Sequence, residues 1–98
     1  IFAHFGGGLP YYALMPEVTE SLSNVYFDSA ATPYLYRPEV YAVSAIATGA
    51  DRILFGSDFP LIRQGRAIRG VREGNLSDAD MDRVLGANVT DLLGIHAL

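Results

Sequence analysis

Three times along this chain a short apolar run stops abruptly at polar residues. Ile1-Phe2-Ala3 meets His4, Val25-Tyr26-Phe27 meets Asp28, and Ile53-Leu54-Phe55 gives way through Gly56 to Ser57 and Asp58. Apolar runs without alternation suit strands covered on both faces, as in a parallel sheet. The third is the sharpest. Pro60 keeps the strand from continuing, so a carboxylate is delivered at its carboxyl end. In α/β sheets and barrels that end is where ligands and reactive groups gather.

Helical patterns fill the intervals. Tyr11 to Leu22 places Leu14, Met15, Val18 and Leu22 near one face, with Pro16 marking a first turn or a break. Glu39 to Thr48 predicts a helix with Val40, Val43, Ile46 and Ala47 apolar, opened near Pro38 and stopped by Gly49. A short helix over Arg66 to Glu73 ends at Gly74-Asn75. Ser77, with Asp80 three residues on, reads as the cap of the next one. Met81, Val84 and Leu85 supply that helix with its stripe, Gly86 ends it, and Asn88 caps a last helix through Leu93 to Gly94. Gly6-Gly7-Gly8 and Thr32 to Pro38 read as loops. The order β-α-β-α-β-α-α implies parallel strands joined by right-handed crossovers. Three strands are too few to close a barrel, which typically takes about 250 residues.

Composition points the same way. Half of the 98 residues are apolar. That is a rich core for a small domain, which buries a smaller share of its surface. The expectation is a piece of a larger core, beginning in mid-strand. The net charge is −4, with seven Arg and no Lys. An acidic chain with dispersed Arg argues against binding nucleic acid. No cysteine is present, so neither a disulfide framework nor a thiolate metal site can form. No apolar run approaches the ~18 residues that span a bilayer. No membrane partner is expected, and a cytoplasmic location is.

His4 and Asp58 are the candidates for chemistry. If parallel strand ends share one mouth, the two side chains meet there, although 54 residues separate them. A histidine and a carboxylate so placed can bind a divalent metal or work as acid and base beside one. Each also has a plainer use: His4 as a structural hydrogen-bonding group, Asp58 as the cap of the following turn. Asp28 reads as a turn residue. Ser57 lacks the Gly-x-Ser-x-Gly elbow of a hydrolase nucleophile. The triple glycine matches no phosphate-binding pattern and suits a backbone that passes close to a ligand or another loop. Arg37 and Arg63 sit in loops after the second and third strands, where either could hold a substrate carboxylate or simply be solvated. Tyr34, Tyr36 and Tyr41 read as packing, and His96 as part of a solvated tail.

Four segments together resemble a known family. His-Phe-Gly-Gly-Gly-Leu-Pro at 4 to 10, Asn-Val-Tyr-Phe-Asp-Ser-Ala-Ala at 24 to 31, Arg-Ile-Leu-Phe-Gly-Ser-Asp-Phe-Pro at 52 to 60, and Val-Leu-Gly-Ala-Asn-Val-Thr-Asp-Leu-Leu-Gly at 84 to 94 look like the amidohydrolase-related family of metal-dependent TIM-barrel enzymes. The resemblance implies an α/β fold: strands six to eight of a (β/α)8 barrel, the carboxyl-terminal three β/α units, with residues 1–98 an incomplete barrel. It matches Asp58 to the strand-eight aspartate that binds the metal and exchanges a proton with metal-bound water. It matches His4 to the strand-six histidine that orients or polarises substrate or water. The family's other ligands, a His-x-His or Glu-x-His on the first strand and a histidine on the fifth, have no counterpart here. This chain alone therefore cannot complete a catalytic zinc site, which takes about three protein ligands.

The expected function is part of a metal-dependent hydrolase. It would cleave C–N or C–O bonds of a small-molecule substrate through a metal-activated water, with Zn2+ as the expected ion. Non-oxidative decarboxylation is the alternative within the family. Family members often pair, so a homodimer is one expected assembly. The rival from another class is a non-catalytic α/β ligand-binding or interaction module, complete at this length and self-associating through its apolar surplus.

Overall fold

The computed structural model describes residues 1–95. His96 lies outside the described residues. The elements in order are α1 (Phe5–Tyr12), α2 (Pro16–Ser21), β1 (Phe27–Asp28), α3 (Thr32–Leu35), α4 (Glu39–Thr48), β2 (Ile53–Leu54), α5 (Gln64–Arg72), α6 (Asp78–Asp82) and α7 (Asn88–Leu93). A 3-10 turn, Ala50–Arg52, leads into β2, and a π turn, Arg83–Ala87, joins α6 to α7.

The strands are parallel. Phe27 stands opposite Ile53, and Asp28 opposite Leu54. The first apolar run contributes one parallel bridge, Phe2 to Phe27. That bridge rests on two bonds: Phe2 N–H to the Tyr26 carbonyl and Asp28 N–H to the Phe2 carbonyl, both 2.9 Å. β1 is thus the middle of three adjacent parallel segments.

Phe5, Phe27, Val40, Tyr41, Ile53, Val71 and Val84 form the core, each at most 1% exposed. Phe5 meets Tyr41 edge to face at 5.5 Å and Tyr36 at 5.8 Å, a preferred geometry for aromatic pairs. Ala31, Ile62 and Ala67 make a smaller cluster beside β2.

α4 has the predicted bounds, and Gly49, at φ 97°, ends it. Its inward face differs from the expectation. Val40, Tyr41, Ser44 and Ala47 are buried, whereas Ile46 is 80% exposed. The buried set follows 3.6-residue spacing, which places Ile46 on the far side. Ser77 caps α6 as predicted, its hydroxyl accepting the Asp80 N–H at 3.1 Å.

Other expectations are corrected. The pattern over Tyr11 to Leu22 is not one helix: α1 ends at Tyr12, and Pro16 opens α2, the first turn that its position allowed. Leu14 and Met15 lie in the break and are exposed. Thr32–Leu35 is a helical turn rather than loop. Gly86 ends nothing, since the π turn carries the chain straight into α7. Asn88 is not a cap. It is 4% exposed, and its amide donates to the carbonyls of Ala50 at 2.7 Å and Ile53 at 2.8 Å, tying α7 to the start of β2.

Candidate active site

His4 and Asp58 both follow carboxyl ends of parallel segments. With Phe2, Phe27 and Ile53 in register, His4 is two residues past that level and Asp58 five. They extend the two outer segments, on either side of β1, at one end of the sheet. Adjacent strands lie about 4.8 Å apart, so the two outer backbones are roughly 10 Å apart there.

Both residues are exposed, and both have left-handed backbones, with φ 48° at His4 and 65° at Asp58. For a residue with a Cβ that conformation costs about 1–2 kcal/mol, somewhat less for Asp. Phe5 and Ala31 share it. Four of the five non-glycine residues with positive φ therefore follow a strand end. Such outliers concentrate at functional sites, where the surrounding structure holds them.

At the first strand end the left-handed stretch runs on through Gly6, Gly7 and Gly8 at φ 59°, 68° and 92°. Gly6 N–H bonds the Ala3 carbonyl at 2.9 Å and Gly7 N–H the His4 carbonyl at 3.1 Å. The expected loop is therefore a hydrogen-bonded left-handed turn. Glycine adopts it without a Cβ clash, and α1 continues from there.

Asp28 holds this turn from β1, as its reading as a turn residue anticipates. Its Oδ1 accepts the N–H of His4 at 3.2 Å and of Ala30 at 3.0 Å. The Tyr36 hydroxyl donates to the His4 carbonyl at 2.7 Å. Burial raises the Tyr36 pKa, and the Gly8 amide beside the hydroxyl pulls it down.

At the third strand end Ser57 Oγ accepts the Phe59 N–H at 3.1 Å. Leu61 N–H bonds the Asp58 carbonyl at 2.9 Å, closing a turn around the cis Phe59–Pro60 bond. The side chain that caps this turn is Ser57, not Asp58. Among the described residues, neither the Asp58 carboxylate nor the His4 imidazole makes a hydrogen bond within the protein.

The remaining candidates stand elsewhere. Arg37 is exposed and ion-paired to Glu39. Arg63 precedes α5 and lines an open cleft of about 490 Å³ with Tyr34, Arg66 and Arg69. Tyr34 is exposed under Arg66, whose guanidinium carbon is 5.8 Å from the ring centroid. Tyr41 packs in the core. Ser29 supports the site from a position that no sequence motif marks. It is 1% exposed and stitches β1 to the segment after β2 through Gly56. Only its place just past a strand end could have flagged it.

Among the described residues, no three His, Asp or Glu side chains converge as a metal site. One imidazole, His4, and two carboxylates, Asp28 and Asp58, stand at this end of the sheet, but they do not converge, so the described residues do not assemble the three protein ligands a catalytic centre takes.

A family profile described as Amidohydrolase matches residues 1–95. The fold is similar to three solved decarboxylases. One is a dihydroxybenzoic acid decarboxylase from Polaromonas sp. JS666 with bound manganese and the inhibitor 2-nitroresorcinol. It has a TM-score of 0.81 and 21% identity over 98% of this chain and 33% of that one. The second is a 2,6-dihydroxybenzoate decarboxylase from Rhizobium, with TM-score 0.79 and 21% identity over 95% and 33%. The third is a 5-carboxyvanillate decarboxylase from Sphingomonas paucimobilis, with TM-score 0.79 and 13% identity over 96% and 33%. This chain thus spans about a third of the length of each. No curated protein gives a significant match.

Proposed function

The chain belongs to the amidohydrolase family, and on that premise we propose that it forms the strand-six-to-eight part of a metal-dependent barrel enzyme acting on a small carboxylic acid. His4 and Asp58 are its contribution to the active site. The observation that carries this reading is the state of the two side chains. Each stands on a left-handed backbone after a parallel strand end, and among the described residues neither makes a side-chain hydrogen bond within the protein. Structural service would have engaged the imidazole or the carboxylate, and Ser57 serves the turn instead.

The rest of the polypeptide would supply the other metal ligands, and Asp58 would add one carboxylate. The ion is divalent. Zinc is the expectation from the family's ligand set, and manganese is what the Polaromonas enzyme holds. A bound ion supplies Lewis acidity toward a substrate oxygen. His4, from the neighbouring rim, stabilises charge developing on such an oxygen. Asp58 relays a proton.

Decarboxylation is favoured over hydrolysis because three of the similar solved structures are decarboxylases of hydroxylated aromatic acids. The bond from ring carbon to carboxyl carbon breaks, carbon dioxide leaves, and the electron pair left on the ring carbon takes a proton. The test is to incubate the full-length protein, loaded with Mn2+ or Zn2+, with carboxyl-labelled 2,6-dihydroxybenzoate and related acids. Labelled carbon dioxide is expected. Turnover of amide or ester substrates without carbon dioxide release would favour hydrolysis, and no turnover of either kind would remove the reading.

A further inference from the structure

We propose that Asp28 and Tyr36 are positioning residues that aim the His4 imidazole by clamping its backbone. This rests on the reading of His4 as an active-site group. The two peptide planes on either side of the His4 Cα are held by side chains from different segments. Asp28, at the end of β1, takes the N–H at 3.2 Å. Tyr36, just past α3, donates to the carbonyl at 2.7 Å. The residue between is left-handed, and fixing both planes fixes the direction of its Cα–Cβ bond.

Among the described residues, no side chain or backbone group bonds to the ring, so its direction rests on this backbone. Asp28 Oδ1 is itself tethered by the Ala30 N–H at 3.0 Å. Tyr36 is braced by its edge-to-face contact with Phe5, which is buried immediately after His4. The Tyr36 end of the clamp is therefore braced by the core, and the Asp28 end by its own turn. An active-site group needs its geometry held by supporting contacts of this kind.

Tyr36→Phe is the informative variant, since it keeps the ring packing and removes one hydroxyl. In the full-length protein with a labelled His4 ring, relaxation measurements should show a more mobile imidazole in Tyr36→Phe, while Phe5 and Tyr41 signals stay in place. Asp28→Asn keeps an acceptor oxygen and should leave the ring near its wild-type order; Asp28→Ala should not. An unchanged ring in Tyr36→Phe overturns the proposal. Turnover of a hydroxybenzoate then separates positioning from mere stability in a double-mutant cycle. Tyr36→Phe should lower kcat about tenfold with KM nearly unchanged when His4 is present, and have no further effect in His4→Ala. Equal losses in both backgrounds overturn positioning. A His4→Ala protein with wild-type turnover, alongside a loosened ring in Tyr36→Phe, removes the role of His4 and leaves only a structural clamp, which also overturns the proposal.

Discussion

Ser29 Oγ accepts the Gly56 N–H at 3.0 Å and donates to the Gly56 carbonyl at 3.2 Å. One buried hydroxyl thus satisfies both polar groups of the residue where the third strand gives way to the Asp58 turn. A Cβ on Gly56 would approach the Ala30 nitrogen to 3.3 Å, so any larger residue there would have to press the Ala30 backbone aside by a few tenths of an ångström. Ser29→Ala should destabilise the protein by about 1–2 kcal/mol, because two polar groups lose a partner. Urea unfolding measures it.

Gly7→Ala tests the left-handed turn. An added Cβ there meets nothing within 4 Å, but φ is 68°. The cost is conformational only, about 1 kcal/mol. Gly65 also has open space and lacks the positive φ, so Gly65→Ala should be neutral or slightly stabilising. Thermal unfolding of the pair separates backbone conformation from crowding.

Asn88→Ala removes both amide donors to Ala50 and Ile53. At a buried position the expected loss is about 2–3 kcal/mol. Asn88→Asp should cost at least as much, since it puts acceptors where two carbonyls already stand. Denaturant midpoints of the two variants check the order.

Tyr41 gives the pH dependence. Burial raises its pKa above the ordinary 10.0, while the Ser29 and Thr32 hydroxyls beside it pull the other way. The unfolded chain then loses the phenolic proton at lower pH than the folded one. Above about pH 10 the folded state binds more protons, so stability falls as pH rises through the folded pKa. Below the unfolded pKa the contribution is fully present. Tyr41→Phe should flatten this alkaline slope in unfolding measured from pH 8 to 11.

Much of the frame was legible because local chemistry and global fold agreed. α4 kept its predicted bounds through Pro38 and Gly49, and Ser77 capped α6 as its spacing with Asp80 implied. The strand ends were legible for a related reason: an unalternating apolar run that stops at a polar residue announces one, although Ile1 and Phe2 of the first run, expected to be buried, are exposed and contribute a single bridge. Other features depended on distant partners. Gly6-Gly7-Gly8 is compatible with many backbones, and the turn it adopts has Asp28 and Tyr36 at its flank. Asn88 resembles a cap in sequence, and only the approach of Ala50 and Ile53 gives it another task. The clamp on His4 joins residues 24 and 32 positions apart, a separation at which no local pattern survives.

Asp58→Asn in the full-length protein probes the shared strand-end site most directly, with bound metal and turnover measured on the same sample. The substitution keeps shape and removes the charge that would hold a cation. Bound metal should fall below one per chain, and turnover should drop by at least about 100-fold, beyond the 10–100-fold that loss of an outer-shell partner brings. Full metal occupancy together with wild-type turnover would contradict the assignment of Asp58, and with it the meeting of His4 and Asp58 at one rim.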